Sequence, residues 1–253
     1  MSFDTLVNFR DLGDYKVQDG RQIVAKKLLR SGELYALSAH DINLLVNEYH
    51  LSEIIDFRSE KETSSRPDDA IENAIYNNID MFKGDSEDAP ALEEIEKENA
   101  NRTADERMFF AYEHLIVSPV SQKGFRKFFD ILLNNKNGAS LWHCFAGKDR
   151  TGIAGALVLY LLGASKETIH EDYLRTNASR KAANDALLAD MKAKGASEKQ
   201  LADTETMMYV KIEYLDYAVQ VINERFGSID AYITDVLGIS DAERTAFQEM
   251  YLV

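Results

Sequence analysis

Cys144 stands six residues before Arg150 in the stretch His143-Cys144-Phe145-Ala146-Gly147-Lys148-Asp149-Arg150-Thr151-Gly152. A lone thiol is more often a buried hydrophobe than a nucleophile, so its neighbours decide. His143, Gly147, Arg150, Thr151 and Gly152 fit the pattern H-C-x-x-G-x-x-R-[ST]-G, which chance meets at all five places on the order of once in a million at a few per cent usage each. A loop entering a helix N-terminus aims its backbone N–H groups inward and makes a nest for an anion. Phe145, Ala146, Gly147, Lys148, Asp149, Arg150 and Thr151 supply that nest. Gly147 allows the tight turn, and Arg150 offers a planar cationic fork for two phosphate oxygens. A thiol so surrounded ionises more readily than a free one. A thiolate beside a bound phosphate monoester is placed for in-line attack on phosphorus, with Thr151 able to hydrogen-bond the sulfur. His143 reads as a structural hydrogen-bonding group, Trp142 as core, and Phe145 as part of the mouth.

Positioning that loop requires a strand before it and a helix after it. Ala139–His143 reads as the strand and Gly152–Leu162 as an apolar helix. Upstream, Lys27–Arg30, Glu53–Arg58 and Ala74–Ile79 read as strands. Ser38 with Asp41 caps a helix to about Tyr49, and Ser121 caps another through Asn134 whose apolar face is Phe125, Phe128, Phe129, Leu132 and Leu133. The prolines, Pro67, Pro90 and Pro119, fall in connections. This alternation predicts an α/β fold with a mostly parallel central sheet between helical layers. From Lys166 onward the chain reads as helices, with Gly195, Gly227 and Gly238 as stops and Ser197, Ser228 and Ser240 as caps. The 253 residues are expected to form one domain.

The chain carries 29 basic and 43 acidic side chains, a formal charge of −14. That balance argues against a nucleic-acid binder and against stable attachment to anionic lipid, while leaving room for a local basic pocket. One cysteine excludes an internal disulfide and a multi-cysteine zinc site. His40, His50, His114 and His170 have no metal-ligand spacing, and no metal or other cofactor is expected. The N-terminal residues lack the apolar core of a secretory signal. The longest uncharged run, Thr151–Ser165, is 15 residues, short of the ~20 that span a bilayer. A cytoplasmic protein is expected. Asp85–Glu98 holds seven acids against one base and reads as a solvated acidic insertion. In Ser179–Met208, the apolar residues Leu187, Leu188, Met191, Leu201, Met207 and Met208 have the spacing of a core-facing helix; the underside of a lid is the other reading.

The loop resembles that of the cysteine-dependent phosphatases, in particular the bacterial tyrosine/serine phosphatase family with its H-C-x-A-G-K-D-R-T-G loop. Asn8-Phe9-Arg10-Asp11-Leu12-Gly13 is similar to that family's N-F-R-D-[LV]-G, and Leu29-Arg30-Ser31-Gly32 to its R-S-[GA] strand end. Asp56-Phe57-Arg58-Ser59, with Glu62 nearby, is similar to its D-[LF]-R-x-x-x-E segment, while Tyr214-Leu215 and Phe226-Gly227-Ser228-Ile229 fit its closing helices. Asp14 departs from it, standing where the family commonly has a second glycine. The resemblance implies metal-free hydrolysis of protein phosphotyrosine, and of phosphoserine/threonine or a phosphoinositide as alternatives, through a phosphocysteine on Cys144 with inorganic phosphate released. It also implies a helical pair covering the site, which favours the lid reading of 179–208. Three aspartates compete as proton donor: Asp149 within the loop, Asp80 after a strand, and Asp56, which could instead orient Arg150. Lys148 resembles a lysine of phosphoinositide phosphatases, but Phe145 replaces the second one. A phosphate-binding module without turnover is the rival of another class; it would have no need of a thiolate.

Overall fold

The computed structural model describes residues 2–13, 15–82 and 102–253. Asp14 and the acidic run Asp85–Glu98 lie outside the described residues.

Among the described residues five strands form one sheet in the order β1-β2-β5-β3-β4. They are β1 (Arg10–Asp11), β2 (Leu28–Ser31), β3 (Leu51–Asp56), β4 (Ile75–Asn78) and β5 (Ala139–His143). Only the short edge pair β1–β2 is antiparallel; β2–β5, β5–β3 and β3–β4 are parallel. A parallel sheet is covered on both faces, so its strands read as apolar runs with neighbours facing opposite ways. Leu141, Leu29 and Ile54 accordingly pack into one core cluster, and Trp142, Leu28 and Ile55 into the larger one on the other face.

The smaller face is closed by α1 (Ala39–Asn43) and the π-helical turn Leu44–Glu48 that extends it. The Ser38 hydroxyl accepts from the Asp41 N–H as expected, but the Asp41 carboxylate turns to the N–H groups of Asp4, Thr5 and Leu6 and pins the N-terminal segment. Helix α2 (Glu60–Ser65) follows β3. The larger face is covered by α3 (Ala104–Val117), α4 (Pro119–Asn134) and α5 (Asp149–Leu162). Beyond these come α6 (Lys166–Ala193), α7 (Glu198–Met208), α8 (Ile212–Phe226), the single turn α9 (Ile229–Ala231) and α10 (Asp241–Tyr251). Gly195, Gly227 and Gly238 all have positive φ, and Ser197, Ser228 and Ser240 cap the helices that follow.

Several boundaries differ from the sequence reading. The third strand ends at Asp56 because its carboxylate accepts from the Arg58 N–H and turns the chain out of the sheet. Helix α4 starts at Pro119, whose missing N–H costs nothing in a first turn; Ser118 precedes it, and Ser121 is buried with its hydroxyl on the Met81 carbonyl. Helix α5 starts at Asp149, which puts Arg150 and Thr151 in its first turn. None of the six apolar residues of 179–208 is buried; α7 packs on the outside of α3 and on α6 and does not enter the core. The core reading of that segment is corrected on this point. Among the described residues no helix is long and apolar enough to cross a membrane.

Candidate active site

The site lies at the carboxyl ends of the parallel strands, where loops after β2, β3 and β5 converge, the usual position in open α/β sheets. Cys144 follows the last residue of β5 and is buried. Gly147 has φ +65, and a Cβ there would sit 2.1 Å from the Ser31 carbonyl oxygen. The turn can press against β2 only because this residue has no side chain.

The carbonyls of the loop are held from below. Asn8 Nδ2 donates to the Ala146 oxygen at 3.1 Å and to the Gly147 oxygen at 2.9 Å, and Arg30 Nη2 donates to the latter at 3.1 Å. In a planar trans peptide the N–H points opposite to the carbonyl. Fixing these two carbonyls therefore aims the Gly147 and Lys148 N–H groups at the opposite side, where an anion would sit. Asn8 is itself held by Arg10, whose Nη1 donates to Asn8 Oδ1 at 2.6 Å. Asp172 on α6 closes the network, receiving Arg10 Nε at 3.1 Å and Arg30 Nη1 at 2.6 Å. All three charged groups are buried. Burial and the adjacent Arg30 push the Arg10 guanidinium down to about 10. Burial would raise the Asp172 carboxyl, but Arg30 and Arg10 outweigh it and hold it below the usual range.

Above the nest, burial pushes the Cys144 thiol up, yet the Arg150 charge, with the Thr151 hydroxyl and N–H beside the sulfur, brings it below its ordinary value. Arg150 is clamped along one side. Its Nη1 donates to the Phe57 carbonyl at 3.1 Å and to Glu62 Oε2 at 2.8 Å, and its Nη2 to Glu62 Oε1 at 2.8 Å. These bonds use three of the five guanidinium N–H groups, leaving Nε and the second Nη2 hydrogen on one edge, the pair that fits two oxygens of one phosphate. Glu62 is aimed by the capping box of α2, accepting from the Ser59 N–H and hydroxyl. The Phe82 ring lies 5.3 Å from the Arg150 guanidinium carbon.

The remaining expected residues fall in different places. Asp149 Oδ1 accepts from the Tyr112 hydroxyl at 2.8 Å and lies 3.3 Å from Lys148 Nζ. Lys148 is buried, its ammonium donating to the Met207 carbonyl at 2.5 Å. Asp80 caps local backbone, accepting from the Glu60 and Phe82 N–H groups. Asp56 does not orient Arg150; it pairs with Arg58 through Nε and Nη2 and accepts from the Tyr76 hydroxyl. Arg58 also meets Asp68 and Glu33. His143 Nε2 lies 2.8 Å from Asp68 Oδ2, with Asp56 beyond Nδ1. Burial lowers the imidazole, but Asp68 and Asp56 outweigh it and raise its pKa. Asp56, Asp68 and His143 are close enough to hold a cation, and the Arg58 guanidinium already fills that role.

At the mouth, Phe145 is 45% exposed, and Arg66 lies over the Tyr35 ring at 4.1 Å and near the Phe145 ring at 5.8 Å. The outer part of α6 and α7 touch the same loop, through Arg180 Nη1 on the Ala146 oxygen at 3.0 Å and through the Met207 carbonyl on Lys148. The Asn177 side-chain amide donates to the Val210 carbonyl and accepts from the Val210 N–H, and this pair of hydrogen bonds marks where the helical pair leaves the body. Asp172, Tyr112, Asp68 and Arg180 were not found by spacing, because each comes from a distant element. Asn8, Arg10, Arg30 and Glu62 did lie inside stretches singled out by resemblance, without roles.

A model of the tyrosine phosphatase family matches residues 1–253. A Cupriavidus necator protein named for tyrosine-protein phosphatase activity is 30% identical over 96% of this chain and 86% of its own length. The triple specificity protein phosphatase PtpB of Mycobacterium tuberculosis is 27% identical over 93% of this chain and 92% of its own. A tyrosine-protein phosphatase of Nostoc commune is 45% identical over 53 residues, 21% of this chain and 18% of that protein.

Proposed function

The chain belongs to the tyrosine phosphatase family, a family of enzymes that take phosphorylated substrates and release phosphate, and we propose that it hydrolyses protein phosphotyrosine through a phosphocysteine on Cys144. The observation that carries this reading is the free edge of Arg150 beside a thiol whose pKa is lowered. The Cys144 thiolate attacks phosphorus as the bond to the tyrosine oxygen breaks, and Asp149 gives that oxygen a proton. Water then attacks the phosphocysteine, returns a proton to Asp149 and frees inorganic phosphate and the thiolate. Arg150 and the Gly147 and Lys148 N–H groups hold the equatorial oxygens, where charge must be met in the transition state. His143, Asp56 and Arg58 act as the floor beneath Cys144. Asp149 is favoured over Asp80 because it stands in the phosphate loop next to Arg150 while the Asp80 carboxylate caps the backbone N–H groups of Glu60 and Phe82, and over Asp56 because that group is buried under Arg58.

The deep position of Cys144 and the aromatic mouth of Phe145 and Tyr35 favour a long, flat aryl phosphate over a short alkyl one. The name of the M. tuberculosis relative extends to three specificities. For this chain, phosphoserine and phosphothreonine are secondary because of that depth, and phosphoinositides because Lys148 is already held by Asp149 and Met207. The helical pair of 179–208 serves as the lid over this single catalytic unit.

The test is turnover of p-nitrophenyl phosphate in EDTA together with rapid-quench trapping. The parent should accumulate covalently bound phosphate on Cys144 during turnover. Cys144→Ser should lose that bound phosphate and turnover while still binding free phosphate, because a serine hydroxyl is not ionised near neutral pH. A serine variant keeping more than about a tenth of the parent rate would exclude covalent catalysis by Cys144.

A further inference from the structure

The side chains bordering the phosphate loop are unexpectedly balanced. Arg150, Lys148, Arg10 and Arg30 supply four cations. Glu62, Asp172 and the Cys144 thiolate supply three anions, and Asp149 a fourth whenever it has given up its proton, each within the contacts described above. The adjoining cluster adds Asp56, Asp68 and Glu33 around Arg58. The chain as a whole carries −14. A phosphate monoester brings nearly two further negative charges at neutral pH, and against these the cradle offers its backbone N–H groups and the free edge of Arg150.

Arg180 is a further cation at this place. It projects from α6 beyond the Asn177–Val210 brace. One N–H of its Nη1 goes to the Ala146 carbonyl at 3.0 Å, which anchors the guanidinium at the outer rim of the phosphate loop and leaves its other donors to reach over that rim. Its Nε is buried and has no partner. A buried guanidinium donor without an acceptor is costly, and native structures retain such a group when something else supplies the acceptor. The Cys144 sulfur and the carboxylates of Asp149 and Glu33 all lie within electrostatic range of it, although burial leaves its pKa lowered overall. Arg150 cannot take over this role, because three of its donors are committed to Glu62 and Phe57.

We propose that Arg180 is a second phosphate-binding guanidinium, supplied by the helical pair, that takes an oxygen of the substrate phosphate opposite the edge held by Arg150. The proposal rests on the phosphatase reading for the identity of the anion. Substrate phosphate thereby completes the contact between the pair and the loop. Arg180 contacts substrate and is distinct from Lys148, whose ammonium is spent on Met207 and Asp149.

The experiment measures binding of inorganic phosphate by calorimetry, and KM and kcat for p-nitrophenyl phosphate, in the parent, Arg180→Gln and Arg180→Lys. Hydrogen exchange of residues 143–151 is followed without phosphate in all three. Arg180→Gln should weaken phosphate binding and raise KM by about tenfold or more, the size of a lost charge-assisted bond. Because Asn8 still holds the Ala146 carbonyl, exchange in the phosphate-free loop should stay close to that of the parent. Arg180→Lys should recover part of the affinity, since the charge remains and the fork does not. Phosphate affinity unchanged in Arg180→Gln overturns the proposal, as does a loss explained by loosening of the phosphate-free loop. If Arg180→Gln fails to fold, undiminished phosphate affinity in Arg180→Lys overturns it equally. Failure of the parent to turn over p-nitrophenyl phosphate would instead remove the phosphatase reading, and the calorimetric comparison would still decide whether Arg180 binds the anion.

Discussion

Arg150 shows how little a charge alone would accomplish. Its guanidinium spends three N–H groups on Glu62 and the Phe57 carbonyl, and these fix the direction of the two that remain. A lysine has three donors on one freely turning ammonium and no second edge, so it cannot keep the clamp and also straddle two phosphate oxygens. Arg150→Lys should therefore lower kcat by about 100-fold or more, close to Arg150→Ala, as expected when transition-state donors are lost. A lysine variant within about tenfold of the parent would reduce Arg150 to a point charge. The cysteine, arginine and threonine of the loop were legible because the whole anion nest is written in ten consecutive residues. Glu62, 88 residues away from Arg150, was legible only as a letter in a resembling segment. Spacing along the chain says nothing about which carboxylate the fold brings to a given guanidinium, and that is why Asp56 was a candidate for the place Glu62 occupies.

At the scale of elements, α6 joins two jobs in one continuous helix of 28 residues, about 42 Å long at 1.5 Å per residue. Its inner half buries Asp172, Tyr173 and Thr176 against the body, and its outer half carries Arg180 and an exposed Leu187. Periodicity alone could not separate these halves, since an apolar stripe looks the same whether it faces a core or the top of a site. The glycine stops and serine caps were legible because they act within four residues of themselves. Asp172 was silent in the sequence, one acid among many in a polar helix, yet it is the carboxylate shared by Arg10 and Arg30 beneath the loop. Removing a buried partner leaves uncompensated charge, which costs about 3–5 kcal/mol. Asp172→Asn keeps the shape and loses the charge, so it should lower stability by about that amount in urea titrations and weaken phosphate binding through Arg30 and the Gly147 carbonyl. An asparagine variant as stable as the parent would mean that Arg10 and Arg30 do not depend on Asp172.

For the whole molecule, the site and the stability of the fold are joined through protons. The mostly parallel sheet between helical layers followed from β–α alternation, but the state of Cys144 depends on burial, on Arg150 and on Thr151 together, which only the assembled fold supplies. In the folded chain the thiol ionises below its ordinary value of 9.0, whereas in the unfolded chain it does not. Between those two values the unfolded state binds the extra proton, so stability rises with pH across that window. The contribution is fully present above the ordinary value and is lost as pH falls through the folded one. His143 works in the opposite sense. Its raised pKa gives stability that is present below its ordinary value of 6.5 and lost as pH rises through the folded one. Comparing the parent with Cys144→Ser cancels the His143 contribution, because both proteins carry it. Denaturant midpoints measured from pH 6 upward should therefore diverge in favour of the parent as pH approaches 9.0 and run parallel above it. A difference that stays constant across the whole range would mean that the fold does not favour the thiolate, and a nucleophile poised at neutral pH would be lost with it.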